Sequence, residues 1–129
     1  MGQARARAVV LDAGALVAIE RADARMLALL VRGLAAATFI VPATVLAQVW
    51  RDGARQARLS KFLCSRQVEV VAFDEAMAKA SGALCRLAGT SDPTDASVAV
   101  LARERRAIVV TSDPSDISRL DASLELHSL

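Results

Sequence analysis

The chain consists of short apolar blocks separated by longer segments in which apolar and polar residues mix. Five short blocks, most of them rich in Val, Ile and Leu, predict β-strands; they lie at 7–12, 38–41, 68–73, 107–111 and 124–128. In the segments between them, apolar residues recur at helical spacing. These segments predict helices over 14–20, 23–32, 43–63, 74–88 and 95–105, with Gly53 as a break in the third.

The alternation of strands and helices predicts an α/β fold with a short-stranded, mostly parallel sheet flanked by helices in three layers. Strands that are apolar on both faces are typical of parallel sheets covered by helices on both sides. The length of 129 residues predicts a single domain spanning 1–129.

The amino-acid composition excludes fewer functions than the pattern of strands and helices does. The chain is 54% hydrophobic with a formal net charge of +2, which indicates a packed core and no strong field for polyanions. The N-terminal residues lack the apolar core of a secretory leader, and the apolar stretch 33–50 is interrupted by Pro42 and diluted by polar residues. We expect no membrane association and a cytoplasmic location.

Three acids stand where a parallel sheet collects functional groups. Asp12 and Asp113 follow the first and fourth predicted strands, and Asp95 opens the helix that precedes the fourth strand. Sites in such sheets form beyond the carboxyl ends of the strands. We therefore expect these three carboxylates to converge on one rim.

A group of carboxylates predicts a hard divalent cation. Like charges held close together repel unless a cation lies between them, and Mg²⁺ takes oxygen ligands. A bound ion activates water and holds phosphoryl oxygens. The sequence supplies little else for hydrolysis, since its one histidine is His127 and it has no zinc-binding spacing or phosphate-binding glycine motif.

Each acid also has a purely structural alternative. Asp95 and Asp74 suit helix N-caps, while Asp113 and Asp116 suit a turn beside a proline. Taken singly, these structural roles are commoner than metal binding. The joint placement of the acids at one rim favours the functional interpretation.

Four segments resemble PIN-domain ribonucleases, and specifically VapC-type toxins of toxin–antitoxin systems. They are VVLDAGALVAIE, VPATVLAQVW, TSDPTDASVAVLA and IVVTSDPSDI, and in their order and spacing the resemblance covers nearly the whole chain. It implies a metal-dependent endoribonuclease that uses Mg²⁺ or Mn²⁺. It also implies a homodimer that is held inactive by a cognate antitoxin.

The resemblance assigns roles to individual positions. Asp12 matches the first acid of the family, Asp95 the third and Asp113 the fourth. The second position departs, because Gln48 stands where the family usually has glutamate. Gln48 keeps an oxygen ligand but lacks the charge and cannot act as a base, so we expect weaker metal binding. We place Gln48 in the catalytic set with the three acids.

Other acids near the rim rank behind this set. We expect Asp116 and Asp92 to act as outer or water-mediated ligands, with Glu20 behind them. Asp52 follows Gln48 by four residues and would share its face on a continuous helix, although a solvated surface role is the commoner one.

RNA binding requires hydroxyl and cationic groups near the acids. Thr111 and Ser112 either orient a carboxylate or phosphate or make ordinary strand-end hydrogen bonds, and the sequence does not separate these roles. Arg51, Arg55 and Arg58 follow Gln48 at helical spacing and predict a stripe that contacts RNA, with a solvated helix face as the alternative. Trp50 is expected in the core; an exposed Trp50 would suit a protein interface.

Three functions compete on these observations. The first is a ribonuclease toxin, and the second is an RNA- or partner-binding module in which Gln48 has weakened or abolished catalysis. The third is a phosphoacceptor receiver domain with Asp74 as its acceptor, disfavoured because the chain has no lysine after the fourth strand.

Overall fold

The computed structural model describes residues 7–129. Residues 1–6, part of the segment in which we expect no secretory leader, lie outside the described residues. Within residues 7–129, five parallel β-strands form one sheet, and seven α-helices flank it. The predicted α/β class with a helix-covered parallel sheet is therefore confirmed.

The element bounds follow the predicted order closely. The strands are β1 (Ala8–Leu11), β2 (Thr38–Pro42), β3 (Val68–Val71), β4 (Ile108–Thr111) and β5 (Leu126–Ser128). The helices are α1 (Ala13–Glu20), α2 (Ala24–Ala28), α3 (Ala43–Val49), α4 (Ala57–Leu63), α5 (Glu75–Ala88), α6 (Pro93–Arg105) and α7 (Pro114–Leu120). A π-helical turn, Leu29–Gly33, continues α2.

The strand order is β3-β2-β1-β4-β5, so β1 is central. From β1 the chain moves outward through β2 and β3, then crosses back to β4 on the other side of β1. The connections that leave the carboxyl ends of β1 and β4 therefore run toward opposite edges of the sheet. This is a topological switch point, where sheets of this kind bind ligands. A receiver domain has the order 2-1-3-4-5, so this order argues against that class.

Two helical layers cover the sheet. Helix α1 packs against α3 and α4, while α6 packs against α5 and α7. The right-handed rule for parallel crossovers places these groups on opposite faces. Helix α6 is buried continuously from Ala96 to Ala102, because it lies between the sheet and α5. The resulting core is mainly aliphatic.

Two local predictions need correction, and one is confirmed. No helix was predicted after Asp113, but Pro114 begins α7, because proline suits the first helical turn. The predicted break at Gly53 is confirmed, since the segment 43–63 is two helices and Gly53 lies within the connecting residues 50–56. Helix α6 begins at Pro93 rather than at Asp95, so Asp92 is its N-cap.

Within residues 7–129, no helix is long and apolar enough to span a membrane.

Candidate active site

Asp12 lies at the switch point between β1 and β4. Its backbone N–H donates to the Val110 carbonyl oxygen over 3.3 Å, which continues the pairing of β1 with β4 by one residue. The side chain then caps α1 and accepts a 2.9 Å hydrogen bond from the Ala15 N–H. The predicted strand-end carboxylate thus has a defined structural role as well as a central position.

The environment of Asp12 disfavours its ionised form. The residue is 7% exposed, and burial raises the pKa of its carboxyl group. The Thr111 hydroxyl and backbone N–H groups, foremost that of Ala15, oppose this rise by donating to the carboxylate. These hydrogen bonds offset only part of the free-energy cost of burying the charged carboxylate. A neighbouring cation would offset the rest.

Gly14 brings the first turn of α1 unusually close to the end of β4. A Cβ at Gly14 would overlap the Ser112 Oγ and lie 2.6 Å from the Ser112 Cβ. Only a residue without a side chain fits at this separation. The close approach places the start of α1, and with it Asp12, directly against Ser112.

A small acid-lined pocket lies between α6 and α7. It has a volume of about 240 Å³ and is lined by Thr90, Asp92, Asp95, Asp116, Arg119 and Leu120. Asp92 caps α6 by accepting from the Thr94 and Asp95 N–H groups over 3.0 and 3.2 Å. The predicted N-cap role of Asp95 is therefore wrong, and its carboxylate is not used in capping α6.

Burial and repulsion among the acids raise the pKa of Asp95. Burial, followed by the charges of Asp92, Asp116 and Asp12, raises the pKa of Asp95 to about 6. The charge of Asp12 is the smallest of these contributions to the raised pKa of Asp95. Asp116 and Asp92, predicted as outer ligands, share the pocket with Asp95.

Asp113 lies at the outer side of this group. Its Oδ1 accepts from the Ser115 hydroxyl over 3.1 Å, and its N–H donates to the Thr111 Oγ1 over 2.8 Å. Its carboxyl group raises the pKa of Asp116, mainly through a shared hydrogen bond. Asp113 is thus connected to the pocket through Asp116, and it is exposed to solvent.

The acids do not form a closed metal cage. Within residues 7–129, no three His, Cys, Asp or Glu side chains are grouped closely enough to hold one ion. The expected convergence of Asp12, Asp95 and Asp113 is therefore looser than predicted. The donor set still fits Mg²⁺ or Mn²⁺ in its chemistry, because it is all oxygen, its charges repel, and Mg²⁺ needs only one or two protein carboxylates.

Gln48 lies in a separate open groove. This cavity, which we call the Gln48 groove, has a volume of about 640 Å³ and is lined mainly by Ala13, Glu20, Arg21, Gln48, Arg51 and Gln56. Ala13 follows Asp12 directly, so the groove begins beside the rim. Gln48 is exposed on α3, and Glu20 is a carboxylate that shares its groove.

Buried Gln56 fixes the wall of the Gln48 groove. Its Nε2 donates to the Val49 carbonyl oxygen over 2.8 Å and to the Glu20 Oε2 over 3.1 Å. Its Oε1 accepts from the Arg51 and Asp52 N–H groups over 2.7 and 3.0 Å. One side chain therefore ties the connection between α3 and α4 to the end of α1.

The predicted arginine stripe does not lie on one helix. Because α3 ends at Val49, Arg51 and Arg55 lie in the connection and only Arg58 is in α4. Arg51 donates from Nη1 to the Ala47 and Trp50 carbonyl oxygens, and Arg55 approaches Asp52 at 3.8 Å.

The structure also differs from the predictions for Asp52 and Trp50, the residues next to Arg51. Asp52 is not on a continuous helix with Gln48, because α3 ends between them. Trp50 is 36% exposed rather than fully in the core.

Several residues at the rim were not predicted. The Thr44 hydroxyl is 2.7 Å from the Ser97 Oγ, which itself donates to the Thr94 carbonyl oxygen over 2.6 Å. This contact joins the start of α3 to the start of α6, two residues beyond Asp95. A serine within the otherwise apolar run 96–102 was the available signal for Ser97. Arg119 gave no such signal, because no helix was predicted after Asp113.

The geometry agrees with comparisons to known proteins. Residues 9–122 match the family model for the PIN domain. A chain of VapBC2 from Rickettsia felis, solved bound to a DNA fragment from their promoter, superposes with a TM-score of 0.72 at 20% identity, covering 94% of this chain and 98% of that one. A chain of FitAcB from Neisseria gonorrhoeae gives 0.64 at 16% identity, covering 93% and 96%.

No curated protein matches the chain. The structural likenesses support the fold, while the family match extends over most of the sequence, including the segments that carry Asp12, Gln48, Asp95 and Asp113. The chain therefore belongs to the PIN domain family.

Proposed function

We propose that this protein is a metal-dependent endoribonuclease toxin that cleaves RNA and is neutralised by a cognate antitoxin. The observation that carries the proposal is the set of repelling carboxylates at the switch point of a PIN fold. Mg²⁺ or Mn²⁺, when bound there, supplies a polarised water and a contact to phosphoryl oxygens.

The residues of the chain divide this work between them. Asp12 and Asp95 are the two ligands, since Asp12 is held at the end of β1 and its charge acts on Asp95. Asp116 and Asp92 lie near enough to bind water in the outer shell, and Asp113 orients Asp116. The Thr111 hydroxyl lowers the pKa of the Asp12 carboxyl group and so favours its ionised form.

The partners follow from the same proposal. The structures most useful for comparison include VapBC2, which was solved as a complex with promoter DNA. By analogy, we infer that an antitoxin binds this chain and that the chain forms a homodimer. The half-exposed Trp50 ring, which suits a protein interface, agrees with this inference.

A second candidate is a binding module that has lost catalysis. Gln48 favours it, because this amide stands at the usual glutamate position and lies in a groove apart from the acid pocket. The loose grouping of acids within the described residues points the same way. In this alternative the fold binds RNA or a partner without cutting it.

Cleavage assays with three proteins separate the two candidates. Purified wild type, Gln48→Glu and Ala47→Glu are incubated with total RNA in Mg²⁺, in Mn²⁺ and in a chelator. The Ala47→Glu control adds the same charge about 100° further round the helix. The proposal predicts metal-dependent cleavage by wild type, and a gain of about 10-fold for Gln48→Glu alone, because a carboxylate binds the cation more tightly.

The opposite pattern supports the binding module. If wild type is inert with every divalent ion while Gln48→Glu cuts RNA, catalysis has been lost through this one residue. If neither protein cuts RNA, the ribonuclease proposal fails.

A further inference from the structure

A second groove diverges from the rim on the other side of α1. This cavity, which we call the Ser112 groove, has a volume of about 540 Å³ and is lined mainly by Gly14, Val17, Arg21, Asp23, Arg25 and Ser112. It begins at the close contact between Gly14 and Ser112, next to Asp12. The Gln48 groove begins at Ala13, so both cavities start at residues that directly follow the buried acid.

Arg21 lies where the two grooves meet. It lines both cavities, and Val17, one turn earlier on α1, is the other residue common to them. Arg21 is exposed and follows Ala13 by eight positions, or about 12 Å along the helix axis. A phosphate bound by Arg21 is therefore some distance from the reacting one at Asp12.

The charges around Arg21 favour an anionic ligand. Within the described part of the chain, neither Arg21 nor Arg25 has a carboxylate within 4.0 Å. The nearby acids have other partners, since Glu20 accepts from Gln56 and Asp23 caps α2 by accepting from the Met26 N–H over 3.1 Å. An unpaired guanidinium on a groove that leads to carboxylates matches a strand whose phosphates approach a bound cation.

We propose that Arg21 binds a backbone phosphate of the RNA and holds the strand across α1, with one groove on each side of that contact. The inference rests on the proposed ribonuclease function and adds a substrate-binding residue remote from the acids. Arg25 and Arg51 extend the path along the Ser112 groove and the Gln48 groove respectively. RNA is favoured over a protein segment because the residue shared by the two grooves is an unpaired cation.

Binding by a protein that does not cut RNA tests the inference. The Asp12→Asn protein is titrated into a fluorescently labelled single-stranded RNA, and anisotropy gives the affinity at several salt concentrations. The same measurement is made with Arg21→Ala, Arg21→Lys and Arg66→Ala added. Arg66 is the matched control, since it is exposed in the turn before β3 and has no ion pair within residues 7–129.

Arg21→Ala is expected to weaken RNA binding by about 10-fold and to reduce the slope of log K against log salt by about 0.7, the value for one lost phosphate contact on a single strand. Arg21→Lys should recover most of the affinity, and Arg66→Ala should leave the slope unchanged. In the cleaving protein, Arg21→Ala should raise KM and leave kcat within about twofold.

Equal slopes for Arg21→Ala and Arg66→Ala would overturn the inference while leaving the ribonuclease proposal intact. Unchanged RNA affinity together with loss of neutralisation by a coexpressed antitoxin would also overturn it and assign the junction to a protein. Absence of any RNA binding by the Asp12→Asn protein would overturn both.

Discussion

Asp12 and Asp74 occupy two regions of the molecule with the same local structure. Each follows a strand and caps the next helix. The backbone φ and ψ angles are −88° and −177° at Asp12, and −85° and −175° at Asp74. Each accepts a 2.9 Å hydrogen bond from the backbone N–H three residues later. Local geometry alone does not distinguish them.

The position of the preceding strand distinguishes them completely. Asp12 follows central β1 and is buried beside β4, whereas Asp74 follows edge strand β3 and is exposed. Asp12 acts electrostatically on Asp95, and its own pKa is raised by burial. Strand order, rather than the capping motif, therefore gives an aspartate an environment suited to a cation.

The largest expected difference is in cleavage. Asn is as good an N-cap as Asp, so Asp12→Asn and Asp74→Asn should both fold with melting temperatures close to wild type. Asp12→Asn should lose at least about 100-fold in RNA cleavage, because a metal contact is worth several kcal/mol in the transition state. Asp74→Asn should cleave at the wild-type rate.

Both activity and growth inhibition on expression report this difference. A fully toxic Asp12→Asn protein that still cuts RNA would refute the proposed mechanism. An equal loss in both variants would point to a shared capping role instead.

The second residue of the capped helix is a further difference between the two regions. Gly14 in α1 corresponds to Ala76 in α5, and only Gly14 faces a neighbour that leaves no room for a Cβ. Gly14→Ala should destabilise the fold by about 1–3 kcal/mol through overpacking. Ala76→Gly should cost about 1 kcal/mol or less through helix propensity.

Denaturant unfolding measures both changes. Adding Ser112→Gly to Gly14→Ala removes the two atoms that a Cβ would meet, so this double variant should recover much of the lost stability. No recovery would show that the close approach of α1 to β4 has another cause.

The smallest expected effect is on how the stability of the metal-free protein depends on pH. Because the pKa of Asp95 is raised from 3.8 to about 6 in the folded protein, its ionisation opposes folding. Its stabilising contribution is complete below about pH 4 and is lost as pH rises through 6. Between pH 4.5 and 7, the free energy of unfolding of wild type in a chelator should fall by about 1 kcal/mol relative to that of Asp95→Asn. This figure is reduced because the side chain is partly exposed.

Thermal unfolding of the two proteins across this range gives the comparison. Parallel pH profiles would contradict the crowding of Asp95 by Asp92, Asp116 and Asp12. A matched substitution, Asp74→Asn, should leave the wild-type profile unchanged in shape.

The sequence predicted the strands well because buried parallel strands are continuous apolar runs. It also indicated that α3 and α4 are separate, through Gly53. It predicted no helix at α7, because Pro114 suits a turn as well as the first turn of a helix. The π-helical turn after α2 has no marker in the sequence that we recognise.

The site was less predictable than the fold. Residue types identified Asp12 and Asp95 as candidates, but the tighter grouping of Asp95 with Asp92 and Asp116 depends on where α6 and α7 begin. The role of Gln56 was also hidden, because its partners come from Val49, Glu20 and the connection after α3. Such contacts are set by tertiary packing and not by spacing along the chain.

Direct titration with Mn²⁺, followed by the electron paramagnetic resonance signal of the free ion, tests the central claim that the carboxylates at the switch point bind a divalent cation. Wild type and Asp74→Asn should bind Mn²⁺ with the same affinity, and Asp12→Asn and Asp95→Asn should each bind at least about 10-fold more weakly. Equal Mn²⁺ affinity in all four proteins, or no binding by wild type, would contradict the account.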